Sequence, residues 1–487
     1  MTGRGGAAGL RLTSRAVLLA AWCSIAQAAY GRAIILAPDG DDLRGDGSLA
    51  NPYLTISQGS AQSAPGDAIL LRGGVYYYVD YQWIAKSGTR SAPITIASYP
   101  GEWAILDGSR RKEASDMIGC DGVSHLVLRD FEIRNSRMHG MWLQIATDCL
   151  VERMRIHGGF ASAAYFYGVR GKATPRLGAM TKLRVRDCVF YDNVRMNADG
   201  PINNGTGGWP GAVNFVVATG VTITGCTIYE NWGEGILLSR VDRGLMRGNE
   251  ARDNYGCNFY LDNATHCVCD RNTSFPRFTT AFYRDGVAAD GIRLADEDYD
   301  VIENPSHNNR VTNNIIMGGA SSFTYGGYHQ SLGLRRALIA HNTFGPGQLW
   351  TIRLDDATRG RHMGSTFANN LCLATPGTPL VRPTTPAGIV FGNNCWFGGD
   401  PGLYGGPGDV LAAPRLAAAQ FGIAEGARLQ PDSPCIDAGR RTGVAMDYFG
   451  VRRSTRPDIG AHEYVCTPPR PRAHGTAVRR DATEAPR

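Results

Sequence analysis

The chain has 487 residues, 43% hydrophobic and 19% charged, with 62 glycines scattered along it. That composition supports a sizeable core broken by many turns and excludes a collagen-like chain or a flexible linker. The formal charge of +6 collects at the two ends, in Arg4, Arg11 and Arg15 and in five arginines after Cys466. The remainder is near neutral, without the basic face that a nucleic-acid-binding fold needs.

In chain order, residues 1–28 read as a secretory signal peptide. A basic start is followed by an apolar stretch from Ala16 to Ile25 and the small-x-small site Ala26-Gln27-Ala28. This predicts a secreted protein, extracellular or periplasmic. No later stretch reaches ~18 uninterrupted apolar residues, so no membrane span is predicted. Residues 29–110 read as an N-terminal cap and first coils, with strands at Ile94-Thr95-Ile96 and Ala104-Ile105-Leu106.

Residues 111–399 carry an internal repeat. The segment from Val221 to Leu238 aligns with Gly244 to Leu261 without gaps at an offset of 23, placing Asn231 on Asn254, Gly233 on Gly256 and Ile236 on Phe259. Extending this register gives the anchors Phe131, Met154, Cys188, Cys226, Asn249, Asn272, Asn314, Asn342, Asn370 and Asn394. Their spacings are 23, 34, 38, 23, 23, 42, 28, 28 and 24, so the shortest step is 23 and every departure is an insertion. Short apolar alternation broken by Gly and Asn reads as strands. A period in this range with about three strands per repeat fits one coil of a right-handed parallel β-helix, and the fold class is all-β. About ten or more such coils are predicted. Like positions then stack at ~4.8 Å, and the asparagines read as an inward ladder bonding to the turn backbone and to one another.

Residues 400–466 are less periodic and read as a capping segment. Residues 467–487 form a Pro- and Arg-rich tail that reads as disordered. The cysteines lack the regular spacing of a disulfide scaffold. Cys188 and Cys226 read as small core residues, and Cys267-x-Cys269 matches neither a zinc site nor a redox pair.

Several segments resemble a known group. The run APDGDDLRGDGSLANPYLTIS (37–57), then PGDAILLRGGVY (65–76), then KSGTRSAPITIASYPGEWAILDGS (86–109), resembles the opening of secreted pectate-lyase-like β-helix proteins, nearest to polysaccharide lyases of the family-nine and chondroitinase-B-like kind. The ending PDSPCIDAG (431–439) with RPDIGAHEY (456–464) is similar to the terminal segment of many bacterial secreted β-helix proteins. The resemblance implies a polysaccharide as substrate or ligand. Family-nine lyases resemble one another in an Asp-Asp-Gly-type calcium cluster and a catalytic lysine on a later coil. Neither is found here, since no lysine follows Lys182, and no catalytic residue is carried over.

The residues themselves suggest a groove. On the strand following each anchor, the inward pairs are Met141 and Leu143, Val213 and Phe215, Ile236 and Leu238, Phe259 and Leu261, Ile292 and Leu294. The outward set includes Trp142, Gln144, Asn214, Leu237, Tyr260, Asp262 and Arg293. Insertions at 157–180, 197–210, 276–290 and 298–308 would wall that face, as loops of a solenoid commonly do. Trp142, Gln144, Asn214 and Tyr260 are therefore predicted to bind substrate, with Tyr165, Tyr167 and Trp209 as further aromatics that either stack on sugar or pack beneath a loop.

The acids Asp262, Glu297 and Glu234 are the catalytic candidates. Stacking of ~4.8 Å and two strand residues of ~6.6 Å put Asp262 roughly 8 Å from Glu297. That lies within the ~6.5–9.5 Å of an inverting glycosidase pair. If the reaction is instead β-elimination on a uronate, Asp296, Glu297 or Asp298 would hold Ca²⁺ and Arg293, a Tyr or a His would be the base. The alternative for the metal candidates Asp296 and Asp298 is a solvated acidic loop. His139, His266 and His341 read as structural. Three functions stay open: a lyase of an acidic polysaccharide, a glycoside hydrolase, and a non-catalytic glycan binder. A monomer is expected.

Overall fold

Strands here are short because each coil must turn three times within a minimum of 23 residues. The computed structural model describes residues 31–168, 180–198, 210–284, 286–297, 305–326, 331–418 and 422–465. The signal-peptide and tail regions lie outside the described residues, as do Trp209, Asp298 and Asp300. Three parallel sheets wind into a β-helix. The first has 13 strands, from Ala33–Leu36 to Ile389–Gly392, and the second 12, from Gly74–Tyr76 to Cys395–Phe397. The third has 11 on its main path, from Gln82–Trp83 to Trp350–Leu354. One coil reads Thr222–Thr224, Thr227–Tyr229, Glu234–Asp242. Among the described residues, no helix is long and apolar enough to cross a membrane.

The corner between the first and second sheets explains the anchors. The residue before every anchor is left-handed: Asp130, Arg153, Asp187, Gly225, Gly248, Arg271, Asn313, His341, Asn369 and Asn393. A tight corner needs that conformation, which Gly, Asn and Asp reach most cheaply. The anchor itself points inward and closes the ladder. Asn249 N donates to Asn272 Oδ1 at 3.0 Å, Asn272 N to Asn314 Oδ1 at 2.9 Å, and Asn314 N to Asn342 Oδ1 at 2.9 Å. Each amide also donates to the next, as Asn272 Nδ2 does to Asn314 Oδ1 at 3.0 Å. A second ladder runs through Asn193, Asn231 and Asn254.

The register follows the repeat. Phe259 pairs with Ile236 on one side and Ile292 on the other, and Leu261 with Leu238 and Leu294. All five inward pairs named above are fully buried in one core, each side chain contributing about 1.5–3 kcal/mol. Gly291 to Leu294 thus sits on the ladder, and Phe282 lies in a short 3₁₀ turn, Thr280–Phe282, of the preceding insertion. Ten cysteines are buried and unpaired among the described residues, including Cys188, Cys226, Cys267 and Cys269.

Both ends are covered. A helix, Ile56–Gln62, capped by Thr55, packs against the first strands. At the other end, residues 431–464 run along the corner column. Asn369 exchanges two bonds with Arg440, Asn393 Nδ2 donates to Ala438 O, and Arg453 reaches Asn313 Oδ1 at 2.8 Å. His341 bonds to Asp458 O and Thr442 Oγ1, which makes it structural.

Candidate active site

The outer face of the third sheet splits into two unlike halves. Its middle column, by register, runs Trp142, Tyr165, Asn214, Leu237, Tyr260, Arg293, Thr324, Arg353. Trp142 and Gln144 are half-buried and reachable from solvent. Asn214 is 0% exposed and Tyr260 2%, which overturns the expectation of one open groove. Asn214 is consumed internally: its amide donates to Ser162 Oγ and Gly211 O, and its Oδ1 accepts from Gly211 N. It is buried and hydrogen-bonded within the fold and does not line an open groove.

The second half gathers most of the acids singled out in the sequence. Glu234 opens its strand beside Cys257, which pairs with Asp290 on the next coil. Leu237, Cys257, Tyr260 and Ala295 form a small apolar cluster outside the main core. The insertion 276–290 folds over this corner, with Phe282 against Trp232 at 4.7 Å. Gly256 permits the close fit, because a Cβ there would lie 2.9 Å from Glu234 Cγ.

Glu234 is 6% exposed, and its Oε2 has no hydrogen-bond partner. Burial pushes its carboxyl well above the usual range, with a further push from Glu297 and an opposing pull from Arg293. An uncompensated carboxylate in such a place favours its neutral form. Glu297 is half-buried, and Tyr260 donates to its Oε1 at 2.6 Å. Arg293 is ion-paired with Asp290, its Nε 3.0 Å from Oδ2. Held in that pair, the guanidinium stays charged, which does not suit the role of base.

Two sequence expectations change here. Asp262 lies on the outward side, but it is 0% exposed. The chain after Ala295 folds back so that Glu297 N donates to Asp262 Oδ1 at 3.2 Å, and Ser239 Oγ donates to Oδ2 at 3.1 Å. Asp262 therefore positions the Glu297 backbone, and its buried oxygens are taken by that amide and by Ser239. Asp296 is equally committed. Its oxygens accept from Ser306 N at 2.6 Å, Leu332 N at 3.3 Å and Tyr325 Oη at 3.4 Å. Among the described residues, no group of three or more His, Cys, Asp or Glu is arranged to hold a metal ion.

Sequence reasoning passed over Tyr81 and Trp83 and read His139 as structural; all three join Trp142 and Tyr165 on the open half. His139 lies 5.7 Å from Trp142 and 5.0 Å from Tyr165, ring to ring, and Tyr81 lies 5.7 Å from Trp83. The alternation in Tyr81-Gln82-Trp83 was the available signal.

Residues 34–251 match the family model described as "Pel9A-like, right handed beta helix region". By fold the chain is a pectate-lyase-like β-helix. Residues 180–346 match a second model, "Periplasmic copper-binding protein (NosD)". The buried cysteines and the lack of a three-donor cluster among the described residues do not fit a copper site. Pectate lyase PEL9 of Emericella nidulans is 40% identical over 75 residues, 15% of this chain and 18% of that protein. The match thus spans under a fifth of that relative's length. Two solved structures share the architecture over most of their length. Pectate lyase Pel9A matches with a TM-score of 0.53 at 17% identity, covering 89% of this chain and 96% of its own. XylC in complex with xylose matches with a TM-score of 0.56 at 10% identity, covering 89% and 98%.

Proposed function

We propose that this pectate-lyase-like β-helix is a carbohydrate-active enzyme that cleaves a uronate-containing polysaccharide by β-elimination at the Glu234–Arg293–Glu297 cluster. The observation that carries the reading is the contrast between two neighbouring carboxyls. Glu234 is buried and favoured in its protonated form, while Glu297 is half-exposed and held by Tyr260. The buried, protonated Glu234 suits an acid, and the solvent-reachable Glu297 beside it is the candidate base.

In this mechanism Arg293 faces the uronate carboxylate and offsets its charge, which acidifies the adjacent C–H. The Glu297 carboxylate takes that proton, and the C–H pair becomes the new C=C bond. The bond to the leaving sugar oxygen breaks, and Glu234 delivers its proton to that oxygen. Tyr260 and Asp262 are positioning residues for Glu297. The PEL9 relative, itself a pectate lyase, supports elimination. The residues of the described site do not fit calcium, and no step uses it. The basic and apolar start of the sequence, with its Ala26-Gln27-Ala28 site, supports export from the cell.

A hydrolase is the second reading, favoured by the same buried, protonated Glu234 as acid, with Glu297 as nucleophile or base. The test is the purified protein against pectate, alginate, chondroitin and neutral glycans, with and without Ca²⁺, reading ultraviolet absorbance and reducing ends together. Absorbing, unsaturated product that disappears in Glu234→Gln is expected. Reducing ends without absorbance would replace elimination by hydrolysis. Neither signal on any polymer would overturn catalysis and leave a glycan-binding β-helix.

A further inference from the structure

We propose that the first coils of the third sheet carry a separate glycan-binding platform, built on Trp83 and Trp142, that takes uncharged glycosyl units. It rests on the reading above only for the class of ligand, a polysaccharide.

The platform is an outward aromatic surface on successive strands. Trp83 pairs with Gly119, Gly119 with Trp142, and Trp142 with Tyr165. Gly119 is needed in this series, because a Cβ there would meet Tyr81 Oη at 1.8 Å. Its absence lets the Tyr81 ring lie on the sheet beside Trp83. Trp83 remains 40% exposed and Trp142 half-buried. Large flat rings in water on a sheet face cost free energy that a bound partner recovers.

The polar groups among the rings suit a neutral sugar. Burial lowers the His139 pKa to about 4, so the imidazole is uncharged at ordinary pH. Its Nδ1 accepts from Ser162 N at 3.2 Å, which leaves the hydrogen on Nε2 as a donor. Gln144 and the exposed carboxylate of Asp121 pair on adjacent strands beside Trp142. Arg111, close by, is turned inward, donating to Asp116 O and Ser115 Oγ. Aromatic faces with a neutral donor, an amide and a carboxylate match ring C–H groups and hydroxyls. Asp121 would repel a uronate. This is the reverse of the far half, where Arg293 offers a positive charge.

The two halves are linked by register. From Trp142 to Arg293 there are five strand steps, ~24 Å, with buried Asn214 and Leu237 between. A polymer lying along the axis reaches both, whereas a disaccharide reaches one.

The test is affinity electrophoresis of the full chain in gels holding highly methyl-esterified pectin, the same pectin after saponification, or neutral galactan. Glu234→Gln serves as the background so that polymers survive. Retardation by esterified pectin or galactan is expected to exceed that by the saponified polymer. Adding Trp142→Ala should raise Kd about tenfold, the scale of one lost stacking contact, and Trp142→Phe should retain binding. No retardation by either uncharged polymer, or retardation indifferent to Trp142→Ala and Trp83→Ala, overturns the platform. Wild-type cleavage is measured in parallel. Cleavage with Trp-independent binding sinks the platform alone, and Trp-dependent binding without cleavage sinks the catalytic reading alone.

Discussion

Replacing Glu234 by Gln separates a catalytic acid from a buried structural one. The fold holds the Glu234 carboxyl protonated above its usual range, chiefly through burial, while the unfolded chain releases that proton near pH ~4.3. Above that pH the native state binds more protons than the unfolded state, so stability falls as pH rises. The slope is ~1.4 kcal/mol per pH unit, up to the folded pKa. Gln has nearly the same shape and cannot ionise. Glu234→Gln is therefore expected to remove this slope and to leave the protein more stable than wild type at pH 7. Activity should fall by about 100-fold or more, the usual scale for a lost general acid. The assays are denaturant unfolding at several pH values between 4 and 8 and turnover on the polysaccharide identified by the panel. A variant less stable at pH 7 with an unchanged slope would mean that Glu234 is ionised and paired, and the reasoning fails. Full activity in a stabilised variant would leave the acid structural.

Further outcomes are expected elsewhere. Tyr260→Phe removes the donor to Glu297 Oε1, a charge-assisted bond of about 1.5–3 kcal/mol. Turnover should drop about tenfold. Asn272→Ala leaves Asn249 N without its ladder acceptor and removes the amide bonds to the Met246 carbonyl and Asn314 Oδ1. It should cost about 2–5 kcal/mol at 1–3 kcal/mol per orphaned group, read as a lower unfolding midpoint. Arg453→Leu strips the buried Glu463 carboxylate and Asn313 of a partner. It should cost about 3–5 kcal/mol and expose residues 431–464 to limited proteolysis.

The fold was legible because a solenoid writes its geometry once per coil. Asn249, Asn272 and Asn314 recur since each corner needs the same amide in the same place, and the Gly-Ile-x-Leu pattern at 291–294 located its strand across a 42-residue gap. The candidate site was only half legible. Alternation told which side of the strand Asp262, Tyr260 and Asn214 occupy, and that side is correct. It said nothing of what covers that side. The insertion 276–290 and the return of the chain after Ala295 have no period, and they turned an expected open groove into a closed acid cluster. Asp262 illustrates the difference: alternation put it on an outward face expected to be open, but the returning chain covers it, with the Glu297 amide donating to its Oδ1 at 3.2 Å. His139 was read as structural for a related reason. It precedes its strand, where no alternation assigns a face.

The stacking that makes the fold legible also constrains the chemistry of the acid cluster. Residues in one outward column sit one strand step apart, ~4.8 Å, too close for adjacent carboxylates to ionise freely. Here Cys257 stands between Glu234 and Asp290, and Arg293 is drawn to Asp290. The guanidinium is thereby held toward the far acid, and Glu234 makes no direct ion pair with it. Burial remains the main cause of its protonation, and the pairing two coils away limits the opposing pull of Arg293. Asp290→Asn tests this link. With Asp290 neutral, Arg293 is released toward Glu234 and should lower its pKa, so that the acid ionises within the working range. The basic limb of the pH–rate profile should move to lower pH and turnover at pH 7 should fall. The stability slope attributed to Glu234 should shrink in the same variant. A profile unchanged at its basic limb, with the slope intact, would show that burial alone sets the protonation of Glu234 and that the Asp290–Arg293 pair has no part in it.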